Sequence, residues 1–198
     1  REFVDTLPRN EREISDPFGR DLGVYQACRD EIKQGVESII PFLEQQSMTD
    51  ESNTQMTFAL GADHGGFELK ENLKAHLDGQ GIAVQDYGPV SDDSCDYPDF
   101  AQAVARSVAS GQHTMGLLIC KTGIGMSIAA NKISGVRAAL VTDAETAAIT
   151  RRHNDANVLC LSATQTGAET AKGIIDAFLK DDFEGGRHAS RVEKLSNP

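Results

Sequence analysis

No stretch of this 198-residue chain approaches the run of roughly 20 apolar residues needed to cross a membrane. The N-terminal REFVDTLPRNEREISD also lacks the basic-then-apolar pattern of a secretory leader. The chain is therefore expected to be soluble and cytoplasmic, with no membrane partner. Cysteine is sparse. Cys28, Cys95, Cys120 and Cys160 stand far apart, with no C-x-x-C pair and no histidine at zinc spacing, which argues against a disulfide framework or structural zinc. Positive charge is short as well: 19 Lys and Arg face 30 Asp and Glu, for a net charge of -11. That balance opposes a broad nucleic-acid surface, although a compact arginine cluster could hold one small anion.

The 39% hydrophobic content suffices for one good core, perhaps with an appendage. Polar, unperiodic TDESNTQ at 49–55 marks a boundary, so 1–53 read as an N-terminal arm with a helix and 54–198 as the main domain. Val24, Cys28, Ile32, Val36, Ile39, Ile40 and Leu43 recur every three or four residues, predicting one amphipathic helix that ends near Pro41 to Gln46. Such a helix reads as a packing appendage, on the main domain or on a partner subunit, or as a lid. Residues 1–20, with Pro8, Pro17 and many charges, read as a loosely ordered arm.

After the boundary, short apolar runs (TFALGA, IAVQDYG, MGLLIC, VRAALVTD, VLCLSA) alternate with helical patterns, and a last short helix is expected around HASRVEKL. Five such alternations predict βαβ units and a parallel sheet covered on both faces. Ligands then sit at the carboxyl ends of the strands. That rule selects Asp63 and His64, the stretch from Cys120 to Ser127, and Asp143.

The turn KTGIGMS, 121–127, offers successive N–H groups at a helix start, where Gly123 and Gly125 permit close ligand approach. It is either an anion cradle or a tight connection. The dinucleotide fingerprint fails because Ile128 stands where the third glycine belongs, and no phosphate-loop motif is present. Cys120 closes an apolar strand and reads either as a small buried hydrophobe or as a thiol at the positive end of a helix dipole, which favours the thiolate. Cys28, Cys95 and Cys160 have no comparable setting. Among the five histidines, His64, His153 and His188 are well placed for acid–base work, whereas His76 and His113 read as solvated surface groups. Arg187 and Arg191 are four apart, so on a helix they share one face and either hold a phosphate or lie in solvent.

In order and spacing, GADHGGFELK, DYGP followed by DYPDFA, ICKTGIGMSIAANK, GVRAAL, RRHNDANVL and FEGGRHASRVEKL resemble the ribose-5-phosphate isomerase B family. That family also includes galactose-6-phosphate isomerase subunits and allose-6-phosphate isomerases. The resemblance covers 57 to about 195 and leaves the first 53 residues outside. It implies a Rossmann-like three-layer αβα sandwich with a five-stranded parallel sheet. It also implies a cofactor-independent aldose–ketose isomerase without a metal, acting as a homodimer or a dimer of dimers with shared active sites. Cys120 is then the base that moves a proton between C2 and C1 of ribose 5-phosphate. The turn Lys121, Thr122, Gly123, Ile124, Gly125, Met126 and Ser127 becomes the anion hole for the enediolate, and Thr122 helps proton movement or orients the thiol. His153 opens the sugar ring with Asn154 beside it, Asp63 and Tyr97 contact the sugar, and His64, Arg187 and Arg191 bind the phosphate.

One subgroup of the family carries a glutamate base just after the glycine turn. Met126 stands there in this chain and cannot accept a proton, which leaves Cys120 as the motif's base. Lys121 replaces the glycine usual after that cysteine, and its ammonium could contact the thiol, the substrate or solvent. A cysteine hydrolase with Cys120, His153 and Asp155 and a non-catalytic sugar-phosphate-binding subunit remain alternatives, as do sugars of four to six carbons.

Overall fold

The computed structural model describes residues 18–19, 21–51 and 56–196. The arm expected over 1–20 lies almost wholly outside these residues. The chain divides into two units, 1–54 and 55–198. In the first, helix α1 spans Leu22–Glu51. It therefore does not end at Pro41 to Gln46 as the periodicity suggests. Proline removes one N–H donor and its ring crowds the carbonyl four residues back, but it holds a helical φ, so a long helix can run through it at the cost of a bond and a local kink. Cys28 is buried, while Ile32 and Val36 are about half exposed.

The second unit alternates strand and helix throughout. Its strands are β1 (Thr57–Ala62), β2 (Ala83–Asp86), β3 (Met115–Cys120), β4 (Ala138–Leu140) and β5 (Val158–Ser162). Between and after them run α2 (Phe67–Gly79), α3 (Tyr97–Ala109), α4 (Ile124–Ala130), α5 (Ala144–Asn154), α6 (Ala168–Lys180) and α7 (Ala189–Ser196). All five strands are parallel, in the order β2-β1-β3-β5-β4. The central strands β3 and β5 are buried at every position, which is why their sequences read as unbroken apolar runs.

Strand alternation sends neighbouring side chains to opposite faces and builds two cores. On one face Phe58, Leu60, Leu117 and Leu159 meet Leu69, Leu73 and Leu77 of α2 and Ile174, Ile175 and Phe178 of α6. On the other, Ala59, Leu118, Cys120 and Cys160 meet Ala101, Val104 and Val108 of α3 and Met126 and Ala130 of α4. The result is a three-layer αβα sandwich. Each fully buried Leu or Phe contributes about 2 kcal/mol relative to exposure.

One buried cation ties the loop after β2 to this frame. Lys70 of α2 is 1% exposed, and its Nζ donates to Asp86 Oδ1 and Oδ2 at 3.0 and 2.8 Å and to the Pro89 carbonyl at 2.7 Å. Asp86 also accepts from the Gly88 N–H at 2.8 Å, and the Gly88 carbonyl receives the Ala62 N–H at 2.9 Å, one residue before Asp63. Burial works against the Asp86 carboxylate, but hydrogen bonds from Lys70, Gly88 and Lys74 outweigh it and hold its pKa below the ordinary 3.8. Asp86 therefore stabilises the fold fully above that value, and its contribution is lost as the pH falls below it and through the lower pKa of the folded state. Replacing Lys70 by Met is expected to cost about 3 kcal/mol, the scale of breaking a buried pair, read as a lower urea midpoint. An unchanged midpoint would contradict the anchoring role. Asp86→Asn should flatten the acid limb of stability below pH 4 relative to the parent, as followed by circular dichroism.

Candidate active site

β1 lies between β2 and β3, so the chain leaves this point of the sheet in both directions, and the carboxyl ends of β1 and β3 are where an open α/β sheet of this topology places its ligand crevice. Asp63 leaves β1 there, its N–H donating to the Ile119 carbonyl at 3.1 Å. Its side chain, 7% exposed, accepts the Gly66 N–H at 2.9 Å and caps the short 3-10 turn His64–Gly66. His64 Nδ1 accepts the Cys95 N–H at 3.3 Å, which ties the loop before α3 to the crevice. Tyr97 opens α3 and lays its ring against the backbone of Gly125. A Cβ at that glycine would lie 2.7 Å from two ring carbons.

Cys120 ends β3 at 4% exposure, and its Sγ accepts the Gly123 N–H at 3.0 Å. That bond requires Gly123 to turn back, at φ 74°, where any Cβ would meet Leu140 Cδ1 at 2.4 Å and the Leu161 carbonyl oxygen at 2.9 Å. Thr122 Oγ1 accepts the Ile124 N–H at 3.4 Å and the Ser127 N–H bonds the Gly123 carbonyl. The N–H groups of Gly125 and Met126 have no backbone acceptor among the described residues. They are the turn's open donors, while the Met126 side chain is buried in the core. The Lys121 side chain is exposed. Its carbonyl receives Ser162 Oγ at 2.9 Å, Thr164 Oγ1 at 2.7 Å and the Thr164 N–H at 3.2 Å, so the β5–α6 loop grips the turn from behind. Cys160, one strand over, is wholly buried. Burial and then the nearby Cys120 thiol push its pKa up, which keeps Cys160 a protonated core residue.

The remaining candidates form a second group elsewhere. His153 and Asn154 end α5, which runs into the start of β5, and Val158 there is paired with Gly116 of β3. Four residues of strand separate Gly116 from Cys120, on the order of 13 Å along the sheet. His153 therefore stands at the opposite edge from Cys120. The C-terminal tail returns to that edge. The His188 ring stacks on His153 at 4.2 Å and 6°, Glu184 Oε2 lies 3.7 Å from His153 Nε2 and 4.0 Å from His188 Nε2, and Arg187 Nε donates to His188 Nε2 at 3.3 Å. Desolvation, then the charges of His153, Arg187 and Arg191, lower the His188 pKa against the opposing pull of Glu184. The ligand atoms of His153, Glu184 and His188 lie within 4.8 Å of one another, close enough to share a metal ion. Arg152 already holds Glu184 at 2.7 Å, and Arg187 faces His188, so the cluster presents cationic donors suited to an anion.

Arg187 occupies a 3-10 turn, Gly186–His188, and Arg191 the following α7, so the two arginines do not share one continuous helix face. The glycine pair at 185–186, both with positive φ, turns the chain just before Arg187. Asp143 is not a free carboxylate at the crevice: it caps α5, accepting the Thr146 N–H at 2.7 Å. Neither His76 nor His113 is simply solvated. His76 bonds Asp176 at 2.8 Å across α2 and α6, and His113 bonds Ser107. Glu184 escaped the sequence reading because the contact joins segments more than 30 residues apart.

A family model described as Ribose/Galactose Isomerase matches residues 58–195. The chain belongs to that family. Over 138 residues it is 47% identical to ribose-5-phosphate isomerase B of Escherichia coli, covering 70% of this chain and 93% of the relative. It is 42% identical over 142 residues to D-erythrulose-4-phosphate isomerase of Pectobacterium atrosepticum, covering 71% and 93%. Among solved structures, ribose-5-phosphate isomerase B of Mycoplasma genitalium, with bound ribulose 5-phosphate, superposes with a TM-score of 0.70 at 43% identity, covering 73% of this chain and 97% of that one. Membership makes this isomerase an enzyme of the aldose–ketose kind, and α1 lies outside the matched region. Gly123→Ala is expected to move the turn and lower kcat by about a hundredfold, the scale of an ångström-sized misplacement. Near-parental kcat would contradict the need for the left-handed turn.

Proposed function

We propose that this isomerase interconverts ribose 5-phosphate and ribulose 5-phosphate through a cis-enediolate, with Cys120 carrying the proton between C2 and C1. The observation behind the reading is the placement of Cys120: its thiol is fixed by the Gly123 N–H at the crevice of the sheet, next to the open N–H donors of Gly125 and Met126. A base must remove the C2 proton, and the oxygen that gains charge needs donors already in place. Gly125 and Met126 supply these, while Gly123, Ile124 and Ser127 shape the turn. Thr122 orients the reacting groups, and Asp63 and Tyr97 bound the sugar on the β1 and α3 sides. His64 takes one side of the phosphate. No cofactor or metal enters these steps, and neither nucleic acid nor a membrane is a partner.

His153, Asn154, Arg187 and Arg191 complete the site from a second copy of the chain. In this reading His153 opens the sugar ring and the arginines close on the phosphate. His153 and Cys120 occupy opposite edges of one sheet, and a two-fold pairing that sets two sheets antiparallel, as a homodimer or within a dimer of dimers, brings each edge against the other. Ile124 and Ile128 of α4 and Leu140 of β4 are exposed apolar side chains beside the turn, suited to such an interface. A second reading retains the chemistry with a four-carbon or six-carbon sugar phosphate. The family member named for erythrulose 4-phosphate favours keeping it in view.

EDTA-treated protein is expected to convert ribose 5-phosphate, and faster by kcat/KM than four- and six-carbon aldose phosphates; a reversed order would move the substrate to the second reading. Cys120→Ala should lose at least about a thousandfold in kcat, within the range set by acid–base groups, while phosphate competition stays within a factor of about three. Mixing Cys120→Ala with His153→Ala tests the shared site separately. Half of randomly reassorted dimers are mixed, and each mixed dimer has one intact site. About a quarter of parental activity should therefore return. No recovery after verified exchange of subunits would contradict the shared site.

A further inference from the structure

On the α2 and α6 face of the sheet, directly behind the catalytic turn, these two helices begin beside each other around a hollow of about 240 Å³ lined by Gly65, Glu68, Leu69, Asn72, Thr166 and Ala168, among others. Neither Cys120, Thr122 nor Tyr97 lines it. Both helices are 13 residues long, and no side chain caps the start of either. At α6 the N–H groups of Gly167, Ala168, Glu169 and Thr170 have no backbone acceptor among the described residues. The first turn of a helix leaves such donors open, and its dipole adds partial positive charge there.

An independent observation comes from Thr166. This residue lines the hollow and is 3% exposed, and its buried Oγ1 has no hydrogen-bond partner among the described residues. An unpaired buried hydroxyl costs about 1–3 kcal/mol, a penalty that an acceptor bound in the hollow would remove. A hydroxyl donor beside a run of open N–H groups is the donor set that recognises a phosphate oxygen. We propose that this hollow is a second anion site, taking inorganic phosphate or the phosphate group of a phosphomonoester, bound by Thr166 Oγ1 and the first N–H groups of α6.

The surroundings set its strength and its consequence. Glu68, exposed on the first turn of α2, brings a like charge to the hollow and keeps affinity modest. The β5–α6 loop that ends in Thr166 is also the loop that grips the Lys121 carbonyl through Ser162 and Thr164. An anion in the hollow therefore stiffens the rear support of the catalytic turn. The inference does not depend on which sugar the isomerase uses.

The test is a titration of the full chain with inorganic phosphate, followed by NMR at the backbone amides of Gly167 to Thr170, with a parallel titration in ribose 5-phosphate. The amide of Tyr97, on α3 at the other face of the sheet and outside the lining of the hollow, reports catalytic-site binding separately. The expected result is a saturable shift of the α6 amides at millimolar phosphate. Thr166→Val, which keeps shape and removes the hydroxyl, should weaken that affinity about tenfold while melting no lower than the parent. Glu68→Gln should strengthen it. A shift with both ligands identifies the phosphomonoester group as an acceptable source, and a shift with inorganic phosphate alone restricts the site to the free ion. No saturable shift of these amides with either ligand, or a Thr166→Val protein that titrates like the parent, would overturn the proposal even if ribose 5-phosphate turns over normally.

Discussion

Every strand of the sheet points the same way, and that polarity governs the rest of the molecule. Parallel strands place their carboxyl ends, and the starts of the helices that follow, along one edge, while helix ends collect along the other. Cys120 and its turn belong to the first edge because they follow β3. His153 belongs to the second because it closes α5 just before β5. The hydrogen-bonded register between β3 and β5 fixes that separation. The shared catalytic site proposed here is thus a consequence of sheet direction: the register holds Cys120 and His153 at opposite edges within one copy of the chain.

Within the first edge, positions are set by backbone contacts more than by side-chain pairs. The Gly123 N–H holds the thiol, the β5–α6 loop holds the Lys121 carbonyl, and Asp63 is placed by its N–H on the Ile119 carbonyl. Lys70 and Asp86 fix the neighbouring loop from below. Such supports cost little reorganisation during a reaction because their donors are already oriented. They also explain why small residues recur at the crevice: Tyr97 packs where a Gly125 side chain would be, and Leu140 where a Gly123 side chain would be.

Much of this was legible in the chain itself. The βαβ alternation in the sequence predicted the five-stranded parallel sheet, and the unbroken apolar runs of MGLLIC and VLCLS marked its buried centre. The rule of strand carboxyl ends found Asp63, His64 and Cys120, because those residues lie next to their strands in sequence. The same rule overreached at Asp143, since a carboxylate one residue before a helix serves equally well as a cap. The end of α1 lies beyond the point that Pro41 suggests, because an interior proline strains and kinks a helix without always ending it. The contacts that hold Lys121 fall on its carbonyl, which every residue type possesses, so no side-chain pattern announces them. The His153–His188 stack, the Glu184 contact and the unpaired Thr166 hydroxyl depend on how distant segments meet, and no local pattern encodes that.

The central claim is that isomerisation proceeds by proton transfer through a protein base. It is tested most directly by turning over ribose 5-phosphate in deuterium oxide and measuring, by NMR on the earliest ribulose 5-phosphate formed, whether C1 has gained solvent deuterium. The account predicts deuterium at C1, because a proton resting on the Cys120 sulfur between its removal from C2 and its delivery to C1 can exchange with water. Product that carries all of the original C2 hydrogen at C1 and no solvent deuterium, however slowly the sugar is turned over, is the pattern of a direct hydride shift and would contradict it.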